Sequence, residues 1–260
     1  MSHSEDLLLA LRTAVKEDCD EAQVGILFSG GLDSTILAML AAEMTRVRLY
    51  TIGVPGAHDL SVSEGTARSM GLDWVPIELD RERILSSLPA MSSILGTENP
   101  LVLSFEMPLF IVAQRSDERL LISGQGADEL FGGYARYARM GEEELRNSLD
   151  ADMEGLLTVG SAREKALARH FGKEIRHPYL HHAVLQAAKG IPVTELVRDG
   201  ERKRVLRAVA TILGLEDAAS RPKKAAQYGS GVMREMKAEA RRRKVPLGQL
   251  VPSLRESETL

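Results

Sequence analysis

The fold of this chain is decided by one stretch, Ile26-Leu27-Phe28-Ser29-Gly30-Gly31-Leu32-Asp33-Ser34-Thr35. An apolar run typical of a buried strand ends in Ser-Gly-Gly, and an Asp-Ser pair then opens a helical pattern. Adjacent glycines let the backbone turn sharply and approach a ligand closely. Serine hydroxyls and the N–H groups at a helix start suit an anion. The stretch therefore predicts a phosphate-binding strand–turn–helix, with an ordinary capped turn as the alternative.

Composition narrows the class of protein. The chain has 260 residues, of which 44% are hydrophobic and 27% charged, and its net charge is -4. These values predict a soluble globular protein, and they argue against a nucleic-acid partner because the chain lacks a basic footprint. No apolar stretch approaches the roughly 20 residues that span a bilayer, so no membrane partner is expected. The single Cys19 cannot form an internal disulfide, which favours a cytoplasmic location.

Predicted strands alternate with predicted helices in the first half, at 24–28, 47–52, 73–77 and 120–123. This order predicts an α/β fold, a parallel sheet with right-handed crossovers and flanking helices. Beyond Gly141 the patterns are helical only. We expect an N-terminal helix over 1–22, an α/β core over 23–140, a helical subdomain completing the active site over 141–250, and a mobile tail over 251–260.

A second glycine-rich loop follows the fourth predicted strand, Ser123-Gly124-Gln125-Gly126-Ala127-Asp128-Glu129-Leu130-Phe131-Gly132-Gly133-Tyr134. Ligands bind beyond the carboxyl ends of strands in open parallel sheets, so both loops should meet at that edge. One carboxylate from each loop, Asp33 and Asp128, could then hold a Mg²⁺ ion between them. The alternative is that the acids of the second loop only cap and charge a helix start.

Taken with two later segments, these loops resemble the synthetase domain of the asparagine synthetases, which are ATP pyrophosphatases of the PP-loop fold. The later segments are Glu174-Ile175-Arg176-His177-Pro178-Tyr179-Leu180 and Arg221-Pro222-Lys223-Lys224-Ala225-Ala226-Gln227-Tyr228-Gly229-Ser230-Gly231. The resemblance runs in order from about residue 24 to residue 236, and the loop over 53–60 also fits it.

The resemblance implies that a carboxylate, with aspartate as the default, attacks the α-phosphate of ATP to form an acyl-adenylate. Ammonia then gives the amide and AMP. The implied pyrophosphate loop comprises Ser29, Gly30, Gly31, Asp33 and Ser34, with Asp33 and Asp128 as the Mg²⁺ ligands. The other implied nucleotide contacts are Leu27, Ile52, Gly124 and Lys223. Lys223 would stabilise charge as pyrophosphate leaves, with Lys224 as the alternative, and the implied catalytic set is Lys223, Asp128 and Gln125.

Two departures from the family pattern concern the second step of the implied reaction, the transfer of nitrogen. The chain begins Met1-Ser2 and lacks the N-terminal cysteine of a glutaminase domain, so we expect no glutamine hydrolysis. Nitrogen would then come from free ammonia, a separate glutaminase subunit or another amine. The family's second loop carries Gly-Glu-Gly, whereas Gln125 stands here and cannot accept a proton as a carboxylate does. Glu129 is the alternative base.

Several charged clusters have more ordinary interpretations. His177, His181 and His182 are expected to form a surface cluster at a helix start rather than a metal site. Arg176 could meet a phosphate or pair with Glu174. A solvated helix face is expected for Arg202, Lys203, Arg204 and Arg207, and the alternative is that one of them points into the site. A solvated helix end is expected for Arg241, Arg242, Arg243 and Lys244, and the alternative is contact with RNA or a partner.

Four functions are consistent with these features. The leading hypothesis is the AMP-forming amide synthetase. The alternatives are an amidotransferase or amide-bond former acting on another carboxylate, a tRNA-modifying ATP pyrophosphatase, and a non-catalytic nucleotide-binding subunit. The net charge and the lack of paired cysteines argue against the tRNA-modifying enzyme. The acceptor's identity and a homo-oligomeric state stay open.

Overall fold

A computed structural model describes residues 2–221 and 229–258, and its centre is a five-stranded parallel sheet in the order β3-β2-β1-β4-β5. The strands are β1 Gln23–Leu27, β2 Arg46–Gly53, β3 Asp73–Glu78, β4 Leu120–Ile122 and β5 Glu174–Arg176. The predicted α/β class with a parallel sheet is confirmed.

The fifth strand corrects the expectation that the second half is purely helical. β5 comprises three residues, of which only Ile175 is buried. A strand this short between charged residues shows no alternation in the sequence, so pattern analysis misses it. A second correction is a small antiparallel hairpin, β6 Val197–Arg198 and β7 Glu201–Arg202, which precedes a helix that lines the site.

Helices cover both faces of the sheet, and each face has its own apolar core. In the first half they are α1 His3–Asp18, α2 Leu32–Ala42, α3 His58–Met70, α4 Arg81–Leu95, α5 Pro100–Arg115 and α6 Ala127–Phe131. In the second half they are α7 Glu142–Gly155, α8 Ser161–His170, α9 His182–Lys189, α10 Val193–Leu196, α11 Arg204–Ile212, α12 Glu216–Ser220, α13 Val232–Arg243 and α14 Leu250–Glu258. Short 3₁₀-helices lie at Ala135–Arg139, Pro178–Leu180 and Leu247–Gln249. One turn of π-helix, Leu156–Gly160, joins α7 to α8.

The second half of the chain contributes to both cores. Helices α9 and α11 pack with α1 and α2 on one face, whereas α8 and α13 pack with α4 and α5 on the other. Residues from both halves therefore reach the carboxyl edge of the sheet.

The C-terminal stretch does not have the expected form of a mobile tail. It forms α14, whose Val251 and Leu254 are buried against α4. Apolar residues one and four positions after Leu250 make one helical face, and the polar residues between them mask it in the sequence. Residues 259–260 lie outside the described range.

None of the helices in the described part of the chain has the length and apolarity needed to cross a membrane.

Candidate active site

A cavity of about 670 Å³ opens at the carboxyl ends of the central strands, and both glycine-rich loops line it. A Cβ atom added at Gly124 would lie 3.5 Å from the Cβ atom of Asp33, so the loops touch although they are far apart in sequence. The cavity is lined by most of the residues assigned to the nucleotide or to catalysis, namely Leu27, Ser29, Gly31, Asp33, Ser34, Ile52, Gly124, Gln125 and Asp128. The parallel sheet thus brings together the two loops that the sequence placed at one edge.

Gly30 shapes the first loop from behind the cavity wall. Its φ is +67°, and a Cβ atom there would come within 2.9 Å of the Ser63 backbone. A side chain would therefore be strained and would displace α3. The loop is closed by weak bonds around Ser34, whose hydroxyl accepts from the Ser29 N–H at 3.3 Å. The Arg221 guanidinium donates to the Gly30 carbonyl at 2.5 Å, which ties the loop to the segment just before residue 222.

Lys203 links the carboxylates of the two loops. Its ammonium nitrogen lies 2.5 Å from Asp33 Oδ2 and 2.5 Å from Asp128 Oδ1, and the residue is only 2% exposed. Burial disfavours the charged form, but the two carboxylates outweigh it and hold the pKa of Lys203 above its usual range. The expectation that Lys203 lies on a solvated helix face is wrong.

The backbone around the lysine explains this placement. Lys203 follows β7 with φ of +57°, just before α11 begins. A Cβ atom on Gly133 would overlap the carboxylate of Asp128 and the side chain of Lys203, so the glycine makes room for their contact. In the sequence Lys203 is one of a run of charges, which gives no sign that it is the buried one.

A second group of polar side chains lies at the same cavity. Glu164 Oε2 lies 2.6 Å from His177 Nε2, and both residues are buried. With the amide nitrogen of Gln125 turned toward Glu164, Gln125 donates to both carboxylate oxygens at 3.0 and 3.2 Å. The structure therefore corrects the expectation that His177 belongs to a surface cluster. It also shows that Gln125, whatever its role, orients a carboxylate.

Glu106 stands beside this group on α5. It is 3% exposed and lines the cavity, and within the described ranges no group donates to its Oε2. Burial first and the nearby Glu164 second raise the pKa of Glu106 to about 9, whereas Arg163 partly opposes the shift. Sequence reasoning missed both Glu106 and Glu164. The available signal was an acid in the otherwise apolar face of α5, Leu-Val-Leu-Ser-Phe-Glu-Met-Pro-Leu-Phe.

Glu129, the alternative base, also lines the cavity and accepts a hydrogen bond from the Tyr134 hydroxyl. Burial raises its pKa, although that hydrogen bond opposes the shift. The side chain of Glu129 is therefore hydrogen-bonded within its own loop.

Among the other predicted positions, Arg176, His181 and His182 do not line the cavity. Arg176 pairs with Glu174 at 2.8 Å, which confirms the structural alternative. His181 and His182 lie near Glu17 at the molecular surface, away from the residues that line the cavity. The segment with Lys223 and Lys224 lies outside the described residues, so the role predicted for Lys223 stays a prediction.

The sequence is similar to one protein family and to several curated proteins. The family model described as asparagine synthase matches residues 6–150 and 138–246. A protein of Methanocaldococcus jannaschii named as an asparagine synthetase of the glutamine-hydrolysing type is 30% identical over 248 residues, covering 80% of this chain and 46% of that protein. Asparagine synthetase B of Escherichia coli is 23% identical over 229 residues, covering 80% of this chain and 41% of that protein.

The chain thus spans about half the length of the curated relatives it matches. Among solved structures, an NMN synthetase from Francisella tularensis is 12% identical with a TM-score of 0.49, covering 98% of this chain and 87% of that one. That likeness has no bearing on the reaction. The match of the family model over most of the residues shows that the chain belongs to the asparagine synthase family.

Proposed function

We propose that the chain is an ATP-dependent, AMP-forming carbon–nitrogen ligase, which activates a carboxylate such as aspartate and joins it to ammonia or another amine. One observation carries the proposal. In a member of the asparagine synthase family, Asp33 and Asp128 from the two glycine loops converge on a single cation at the edge of the sheet. Two carboxylates directed at one positive charge are suited to a site for a triphosphate and its counter-ion.

The first loop supports binding of the phosphates. Helix α2 begins at Leu32, directly after Gly31, so its N-terminal N–H groups lie at the cavity. Such a helix end favours an anion. Leu27 and Ile52 line the cavity beside this loop and provide apolar surface for adenosine.

The site fits Mg²⁺ as judged by its donor set. Asp33 and Asp128 supply carboxylate oxygens within reach of one point, the place that the Lys203 ammonium occupies between them. In this proposal the two aspartates would hold the ion, which would neutralise the charge of the triphosphate and of the leaving pyrophosphate. Lys203 would add its positive charge at the same end of the two loops.

The proposed reaction has two steps. A carboxylate oxygen of the acceptor attacks the α-phosphorus, the bond to the bridging oxygen breaks, and pyrophosphate leaves with the electron pair. The amine nitrogen then attacks the acyl carbon, the carbon–oxygen bond to AMP breaks, and the nitrogen gives up its proton. Lysines near the phosphates would stabilise the departing charge, a role proposed for Lys203 and for Lys223. Gln125 cannot take the amine's proton, because an amide is not a base.

The proposal is tested by measuring pyrophosphate and AMP in the presence of ATP, Mg²⁺, ammonium and aspartate. Asp33→Asn and Asp128→Asn should each lower the rate by about 10²–10³-fold, because each removes a carboxylate that would hold Mg²⁺ at the phosphates. Asp199→Asn is the matched control, since the side chain of Asp199 is 91% exposed and does not line the cavity. Near-normal turnover in either site variant would contradict the assignment.

The same assay separates the alternatives. Pyrophosphate release with other acids but not aspartate would identify a ligase for another carboxylate. Stimulation by tRNA alone would favour a tRNA-modifying enzyme, and ATP binding without turnover would favour a non-catalytic subunit. We also propose that nitrogen comes from free ammonia, from a separate glutaminase subunit or from another amine. A homo-oligomeric state and a cytoplasmic location are further proposals.

A further inference from the structure

The cavity wall formed by α5 and α8 contains a pair of buried carboxyl groups that the adenylation half of the reaction does not use. Glu106 and Glu164 are 3% and 5% exposed, and both line the cavity. Their helices, α5 and α8, pack against each other, and Glu164 raises the pKa of Glu106. Two acids buried together are unfavourable unless a cation or a proton is shared between them.

The two acids differ in their hydrogen bonds. Glu164 is held by His177 at 2.6 Å and by the Gln125 amide at 3.0 and 3.2 Å. In the described part of the chain, Oε2 of Glu106 accepts no hydrogen bond although it is buried. A buried acceptor without a donor costs stability, so its presence at a cavity wall indicates a donor supplied by a ligand.

The wall around this acceptor is apolar. Leu101, Phe105 and Leu109 line the cavity from the same helix as Glu106, and Leu156 lines it at the end of α7. Leu101 and Phe105 are 51% and 40% exposed, so their apolar surface is accessible to a ligand. A hydrogen-bond acceptor with negative charge beside it, surrounded by hydrocarbon, is complementary to an ammonium group on an apolar chain.

We propose that Glu106 and Glu164 form a binding site for the nucleophile of the reaction, and that this nucleophile is an organic primary amine with an apolar body rather than free ammonia. The ammonium N–H groups donate to Glu106 Oε2 and to Glu164, and the hydrocarbon chain packs on Phe105 and its apolar neighbours. Gln125 acts as a positioning residue that orients Glu164. Naming this amine as the nucleophile rests on the proposed function, whereas binding of the amine does not.

Before attack, the bound ammonium must lose a proton, and Glu164 is the acceptor in this proposal. The free nitrogen pair forms the bond to the acyl carbon, and the carbon–oxygen bond to AMP breaks. The second proton leaves to water. A carboxylate from α8 thereby replaces the acid that the second loop lacks at Gln125.

Calorimetric titration of the full chain with n-butylammonium chloride tests the site without ATP. Saturable binding is expected, with affinity at least about 10-fold above that for neutral 1-pentanol, which has similar size but no charge. Glu106→Leu, which removes the acceptor, and Glu164→Gln, which removes the negative charge, should each weaken butylammonium binding at least about 10-fold. Glu98→Gln is the matched control, because Glu98 is a surface acid paired with Arg255.

A fold-neutral variant keeps the test decisive if either acid variant fails to fold. Phe105→Ala removes a half-exposed side chain, so folding should persist. It should weaken butylammonium binding about 3- to 10-fold and leave methylammonium binding unchanged, because only the longer chain reaches the apolar wall. No saturable binding to the native chain, or equal binding in all variants, would overturn the inference.

The two proposals fail separately. AMP formation that uses ammonium and is indifferent to butylammonium would overturn the amine site and support the proposed function. Butylammonium binding that depends on Glu106, with no AMP formed from any acid, would support the site and overturn the proposed function.

Discussion

Two pairs of carboxyl groups line one cavity, and they are neutralised in opposite ways. Asp33 and Asp128 converge on the Lys203 ammonium, at 2.5 Å from each. Glu106 and Glu164 have no lysine between them among the described residues, and the pKa of Glu106 rises to about 9 instead. The first pair is balanced by a charge from the chain, and the second by a proton.

The two parts of the cavity wall therefore differ in chemistry. The lysine-linked pair lies on the glycine loops, where a triphosphate would bring negative charge and its own cation. The second pair lies on α5 and α8, where Arg163 only partly offsets the effect of Glu164 on Glu106. A cation held between two carboxylates suits a site that receives anions, whereas a pair without such a cation suits a site that receives an ammonium group.

Lys203→Met removes the cation that links the first pair, Asp33 and Asp128, and keeps most of the length of the side chain. Two carboxylates would then face each other in a partly buried site. The free energy of unfolding should fall by about 3–5 kcal/mol, the range for removing one partner of a buried ion pair. Urea titration at pH 7.5 measures this change.

Lys189→Met serves as the control for Lys203→Met. Lys189 is an exposed residue in the last turn of α9, so its replacement should change stability by less than about 0.5 kcal/mol. Equal stability of the two variants would show that the lysine is not what holds the loops together.

The second pair can be tested through pH, because Glu106→Gln mimics the protonated acid and cannot ionise. Above about pH 4.5 the unfolded chain releases the Glu106 proton, whereas the folded protein keeps it up to about pH 9. The unfolded state thus binds fewer protons in this window, and the stability of the native chain falls as pH rises. Glu106→Gln should be more stable by roughly 4 kcal/mol at pH 7.5 and nearly equal to the native chain at pH 4.5.

Urea titrations across pH 4.5 to 9 measure this difference. Glu164 and Arg163 are the charged groups that act on Glu106, and both are retained in the variant. Glu98→Gln, at an exposed ion pair, should give a difference of less than about 0.5 kcal/mol at every pH. A flat difference for Glu106→Gln would mean that the buried acid is not protonated.

The two pairs also differ in how far the sequence predicts them. The glycine loops carry local signals, since Gly30 needs a positive φ and close approach to Ser63, and both loops follow strands. The position of Asp33 and Asp128 at one edge then follows from a parallel sheet. Their metal role and that of Lys223 remain predictions.

The rest of the cavity depends on tertiary packing. Lys203 is buried because Gly133 leaves room for it, a relation between residues 70 positions apart that no local pattern encodes. Glu164 and His177 meet only because α8 and the segment after β5 flank the same loop. The sequence shows Glu106 only as an acid on an apolar helix face. This pattern indicates a functional residue only when the structure places the helix against the cavity.

The smallest effect is expected for a substitution at Gln125, which tests how Glu164 is oriented. Gln125→Glu replaces the amide that donates to Glu164 with a third carboxyl group. At pH 8 the free energy of unfolding should fall by about 1–2 kcal/mol, because a hydrogen bond is lost and a like charge is added. At pH 4.5 the introduced carboxyl group can be protonated and donate again, so the difference should shrink toward zero. Gln186→Glu, at an exposed position of α9, controls for added charge. A loss equal to the control at pH 8 would mean that Gln125 does not hold Glu164, and that the second pair is oriented by His177 alone.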